Sequence, residues 1–161
     1  MKLLRIALAC TTLWIIDAFV GQDALSQQPN YSESEVVNFI ADKFQTTTRR
    51  GNTTGDILDF FSFVKGLATF EFHTTNHDPW TVTMQFRDFG SATAVDAQNG
   101  AWPKLLLRCG GGVNCINSTH PSEKGKTVIV VLFNDFEQAQ KVAKAFDYLG
   151  SMYHQAKKDL F

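Results

Sequence analysis

Three cysteines, four histidines and a few closely spaced carboxylates are the side chains in this 161-residue sequence with the types and spacing to do chemistry. Cys109 and Cys115 close the segment Cys-Gly-Gly-Gly-Val-Asn-Cys. Three glycines between them favour a turn, so the pair reads as a staple across a tight hairpin in an oxidising compartment. A redox pair would need closer spacing and a helix N-terminus to lower one thiol pKa. A loop this short stabilises by about 2 kcal/mol in the chain-entropy model. The glycine run could also offer backbone N–H groups to an anion. A phosphate loop needs a following helix and a lysine, and neither is present.

His73, His77 and Asp78 are the residues that could share a metal ion. On a strand and turn a spacing of four does not by itself converge two rings, so turn or surface histidines are the plainer reading. His120 precedes Pro121 in a polar loop. Asp56 and Asp59 lie beside Phe60 and Phe61, where an apolar surround could raise a carboxyl pKa. Capping and solvating a short helix is the simpler role for them. No Gly-x-Ser-x-Gly occurs, and Ser91 after Gly90 lacks the second glycine of a nucleophile elbow. No cofactor motif is present. Trp102, beside Pro103 at a strand start, is the aromatic most suited to anchor a partner from a rim. Asn30, Asn52 and Asn117 each begin an Asn-x-Ser/Thr acceptor triplet.

The compartment follows from the first residues. Met1 to Arg5 is short and basic, Ile6 to Ile16 is almost wholly apolar, and Ala24-Leu25-Ser26 offers small residues for cleavage. Residues 1–26 therefore read as a secretory signal peptide, which removes Cys10 and leaves an even pair of thiols. Residues 27–161 read as a single globular domain, secreted or periplasmic, with no membrane span after cleavage. The net charge of −1 offers no basic excess for nucleic acid and no acidic tail for a cationic partner.

The elements that must position these residues follow from periodicity. Ser32 and Glu35 form a capping-box pattern, and Val36, Val37, Ile40, Ala41 and Phe44 then recur at helical spacing, predicting a helix over Glu33–Phe44. Ile57–Val64 has four-residue apolar spacings that suit a short helix and aromatics that suit a strand equally well; it is read as a short helix stopping near Gly66. From Leu67 the period becomes two, and Leu67–Phe72 and Trp80–Phe86 predict an antiparallel pair separated by the turn-rich His73–Pro79. Asp88–Gly100 reads as a loop, Trp102–Arg108 as a strand, and Val113–Ile116 as a brief strand before the polar loop Asn117–Gly125. Thr127–Phe133 is a β-branched run expected to be buried on both faces. Asn134 is the expected N-cap of a closing helix whose stripe is Phe136, Ala139, Val142, Ala143, Phe146, Leu149 and Tyr153. The class is α+β: a curled antiparallel sheet or small barrel closed by a long C-terminal helix, with an N-terminal helix.

Leu67 to Gln155 resembles a pleckstrin-homology-like domain in its successive strands, its cysteine-bearing hairpin and its finish Val131-Leu132-Phe133-Asn134-Asp135-Phe136-Glu137-Gln138-Ala139. Small exported bacterial domains of unknown function are similar in this strand-then-helix ending. In that superfold phosphoinositide binding depends on basic residues in the first hairpin loop. Here His73–Pro79 holds no Lys or Arg, so the resemblance implies a fold without that ligand. The residues together point to an exported non-catalytic module that binds a protein or a small ligand. The alternatives are a small exported hydrolase or metal-dependent enzyme built on His73, His77 and Asp78, and a structural envelope component.

Overall fold

The computed structural model describes residues 30–47, 57–74, 77–97, 102–120 and 125–158. The expected signal peptide, Asp56 and the acceptor triplet at Asn52 lie outside them. From Ser32 onward the described chain is one body, an α+β arrangement of two antiparallel sheets and two helices. The sheets are separate rather than closed into one barrel. One has the order β1-β2-β3-β6 and the other β4-β5-β7, where β1 is Ile57–Val64, β2 Leu67–Thr74, β3 His77–Gln85, β4 Phe89–Val95, β5 Lys104–Cys109, β6 Ile116–Ser118 and β7 Val128–Leu132.

Helix α1 spans Glu33–Thr47. Its capping box is formed: the Glu35 N–H donates to Ser32 Oγ at 3.3 Å, and the Ser32 N–H donates to Glu35 Oε2 at 2.8 Å. The Ser32 hydroxyl also donates to Glu35 Oε2, and these bonds hold the Glu35 carboxyl below its usual pKa. Val36, Ile40 and Phe44 form the buried stripe. The helix runs past Phe44 to Thr47, with the Thr46 hydroxyl bonded back to the Asp42 carbonyl at 2.9 Å.

Ile57–Val64 is a strand, not the expected helix. The four-residue spacings that suggested a helix suit a strand as well, and the alternation that would mark a strand is broken here. Leu58 and Phe61 are both buried although three residues apart, an interval a regular strand cannot place on one face. A bulge between Leu58 and Phe60 leaves Asp59 unpaired and resets the alternation. Lys65 and Gly66, both at positive φ (50° and 78°), then form a two-residue hairpin turn rather than a helix stop. This is the first hairpin of the fold, and it carries one lysine. Tyr153 lies over it, so close that a Cβ at Gly66 would sit 2.7 Å from the ring.

Strands β2 and β3 pair antiparallel from Leu67↔Gln85 to Thr74↔His77, so the expected turn is shorter than His73–Pro79. Phe89–Val95 is a strand, where a loop was expected from its turn residues. Its inward residues are the small Ala92 and Ala94, which leave little period to read. Irregular backbone at Trp102 and Pro103 precedes β5, because Pro103 has no N–H to give; its carbonyl accepts from the Phe133 N–H at 2.9 Å. Cys109 and Cys115 are at disulfide distance, with sulfurs 2.09 Å apart and Cα atoms 5.6 Å apart. Residues 113–115 lack strand pairing, and β6 begins at Ile116, taking in Asn117 and Ser118 that read as loop. Strand β7 is buried on one face only. Ile129 and Val131 point to the core, whereas Val130 is exposed.

Helix α2 spans Phe136–Lys158. Its cap is Asp135 rather than Asn134: the Gln138 N–H donates to Asp135 Oδ1 at 3.2 Å. Ala139, Val142, Ala143, Phe146 and Leu149 are buried as the stripe requires. Phe146 meets the rings of Phe44, Phe61, Phe70 and Phe86 with centroids 5.8–6.3 Å apart, so one side chain joins α2 to α1, β1, β2 and the turn after β3. At the free edge of β4 the Ala92 N–H donates to Asp147 Oδ1 at 2.7 Å. Desolvation raises the pKa of that carboxyl despite the bond. Near the other end of α2 the Tyr153 hydroxyl donates to Glu33 Oε2 at 2.7 Å. Burial first, then Glu33, push its pKa up to about 12.

Candidate functional site

Because both helices lie against the inward faces and edges, each sheet keeps an outer face. The burial pattern along each strand defines it. On β5, Lys104, Leu106 and Arg108 alternate with the buried Leu105 and Leu107. On β7, Val128, Val130 and Leu132 alternate with Ile129 and Val131. The registers set these residues in rows: Val95, Lys104 and Leu132; Thr93, Leu106 and Val130; Ser91, Arg108 and Val128. Val130 is 44% exposed, Val95 38% and Trp102, immediately before the row of Lys104, 38%. The outer face of the β4-β5-β7 sheet thus presents aliphatic side chains with two cations. None of its outward strand positions carries a carboxylate; Asp96 follows Val95 and bonds the Ala97 N–H at 2.7 Å.

The outer face of the β1-β2-β3-β6 sheet has a different chemistry. One row runs Ser62, Thr69, Thr83, Asn117, and its neighbour runs Phe60, Glu71, Thr81. Phe60 is 49% exposed and Val64 62%. Next to them the Asp59 carboxylate is hydrogen-bonded to His73 Nδ1. Asp59 reaches His73 because the bulge frees it from the ladder. A cleft between α1 and β1, lined by Phe44, Gln45 and Phe60 among others, opens beside Asp59.

The structure redistributes the residues singled out from sequence. His73 is joined to Asp59, a partner fourteen residues away that the reading of His73, His77 and Asp78 left out. Asp78 is exposed, and His77 occupies the first position of β3 with its side chain outside the described residues. Among the described residues no group of three His, Cys, Asp or Glu side chains gathers to hold a metal. His120 packs against Trp80, with ring centroids 5.2 Å apart and planes tilted by 53°. Ser91 lies on β4, opposite Arg108, rather than on a sharp turn. Asn117 is exposed on the short edge strand β6. The period-two run Trp102-Lys104-Leu106-Arg108 was the signal for the cationic face. It was legible once Pro103, Leu105 and Leu107 were recognised as the buried half.

Comparison with family models, with curated proteins and with solved structures gives no match. No described helix is long and apolar enough to cross a membrane.

Proposed function

We propose that this protein is an exported, non-catalytic binding module that engages its partner through the outer face of the β4-β5-β7 sheet. The observation that carries this reading is the run Trp102-Lys104-Leu106-Arg108 beside the exposed Val130. Apolar centres flanked by cations form the kind of surface that binds through burial and is oriented by charge. Support for export comes from the basic-then-apolar start of the chain and from the paired Cys109 and Cys115, which suit an oxidising compartment. The α+β layout with a closing helix supports the pleckstrin-homology-like reading as well, while the first hairpin loop, Lys65-Gly66, lacks the basic cluster on which phosphoinositide binding depends in that superfold.

A second reading draws on the Asp59–His73 pair, an arrangement in which a carboxylate orients an imidazole for hydrolysis or metal binding. A nucleophile or further ligand beside His73 would be needed to complete it.

The test compares immobilised wild-type protein with the variant Lys104→Glu, Arg108→Glu, Val130→Thr in retaining proteins from the exported fraction of the native source. The variant should retain its specific partner at least ~10-fold less well, equivalent to about 1.4 kcal/mol. Equal retention by both proteins, or retention lost instead on His73→Ala, removes the face from consideration.

A further inference from the structure

We infer that the partner of the β4-β5-β7 face is the outer face of the β1-β2-β3-β6 sheet of a second copy of this chain. The contact is head to tail, and it rests on the reading of the first face as the binding surface.

The argument begins with charge. The whole chain carries 15 Lys and Arg against 16 Asp and Glu, so neither face inherits its sign from a bulk excess. The signs are nevertheless separated between the two sheets. Lys104 and Arg108 are the ionic side chains at outward strand positions of the β4-β5-β7 face. On the other sheet the ionic side chain at an outward strand position is Glu71, and the Asp59 carboxylate beside it is engaged by His73. The nearest lysine there is Lys65, at the hairpin turn beyond the strands.

Spacing agrees with charge. Phe60 stands directly across from Glu71, and Leu106 stands directly across from Val130, one outward position from both Lys104 and Arg108. Cross-strand neighbours are about 5 Å apart and successive outward residues about 7 Å. An apolar group therefore stands about 5 Å from a charge on one face and about 7 Å on the other, a difference of about 2 Å that the long Glu71, Lys104 and Arg108 side chains take up. The Phe60 ring can cover Leu106 and Val130 while Glu71 meets Arg108 or Lys104.

The symmetric alternatives are unfavourable. A two-fold dimer through the β4-β5-β7 face would set cations against cations, and one through the other face would set Glu71 against its own copy. Like charges across an interface oppose association. A heterologous contact places opposite signs together, and repeated it builds an open chain or a ring.

The experiment is sedimentation velocity of the wild-type protein at rising concentration up to ~1 mM in low salt, beside Glu71→Lys and the double variant Lys104→Glu, Arg108→Glu. The wild type should show concentration-dependent association that added salt weakens. Each variant has two faces of like sign and should lose association at least ~10-fold. An equimolar mixture of the two variants restores opposite signs at every contact, and association should return to within ~3-fold of wild type. Circular dichroism and thermal melts of each variant establish that both are folded, and rescue on mixing cannot arise from unfolded chains. A wild type that stays monomeric over the whole range, variants that associate like wild type, or a mixture that stays monomeric would each overturn the inference. If the mixture stays monomeric while the Lys104/Arg108 variant still loses its exported partner, the face binds a different protein; if that variant retains its partner, the face itself is wrong.

Discussion

Phe146→Ala should lower the unfolding free energy by about 4 kcal/mol, read as a shift in the midpoint of urea unfolding at unchanged slope. Phe146 is fully buried and touches four other aromatic rings from three different parts of the fold. Truncation removes the transfer free energy of the ring and leaves a cavity walled by Phe44, Phe61, Phe70 and Phe86. Those walls belong to α1, to β1 and β2, and to the turn after β3, so no single element can move in to fill the space. Phe146→Leu keeps most of the volume and should cost less, about 1.5 kcal/mol. A Phe146→Ala protein within about 1 kcal/mol of wild type would mean that the ring is not the joint between the sheets and the helices.

Gly90→Ala should destabilise by about 3 kcal/mol, an unusual cost for a single methyl group on an exposed strand residue. A Cβ at Gly90 would stand 2.8 Å from both the nitrogen and the Cα of Gly110, and 2.9 Å from the carbonyl carbon of Cys109. These are backbone atoms that cannot rotate away. The Gly110 N–H is also held by the Asp88 carbonyl at 2.8 Å, and the Cys109–Cys115 bridge ties the start of the glycine turn. Gly111 provides the control. Its φ of +62° strains a side chain, but nothing lies within 4 Å of its Cβ position. Gly111→Ala should therefore cost about 1 kcal/mol. Thermal melts of the two variants separate a steric clash from a conformational penalty. Equal losses would show that the approach of β4 to the glycine turn does not limit stability.

The pattern of what was legible in the sequence follows from how strongly each element carries a period. Both long helices show five or more apolar residues at helical spacing, and both were recovered. So were β2 and β3, whose large apolar residues alternate, and β5 and β7, which stand out as short apolar runs. Strand β1 was misread because its four-residue apolar spacings serve a helix and a strand alike, and the bulge at Asp59 disturbs the alternation that would have told the two apart. Strand β4 was lost because Ala92 and Ala94 bury little surface and Gly90 reads as a turn residue. The cap of α2 was misplaced by one residue, since Asn134 and Asp135 are both competent caps. The pairing of Cys109 with Cys115, which stand at disulfide distance, was expected from their spacing, the glycines between them and the loss of Cys10 with the signal. The Asp59–His73 pair was not, because it depends on the register of β1 against β2, and β1 was read as a helix. The cations of the β4-β5-β7 face could be read from the period of β5 alone, whereas the apolar centre that Leu106 shares with Val130 needed the pairing of β5 with β7.

The most direct measurement is hydroxyl-radical footprinting of the wild-type protein recovered in the native exported fraction, compared with the same protein purified and dilute. Trp102, Leu106 and Val130 should be protected in the fraction and label freely when diluted, on a chain that begins at Gln27. Equal labelling of these three residues in both samples, or a chain found only inside the cell with Met1 intact, would contradict an exported module that binds through its β4-β5-β7 face.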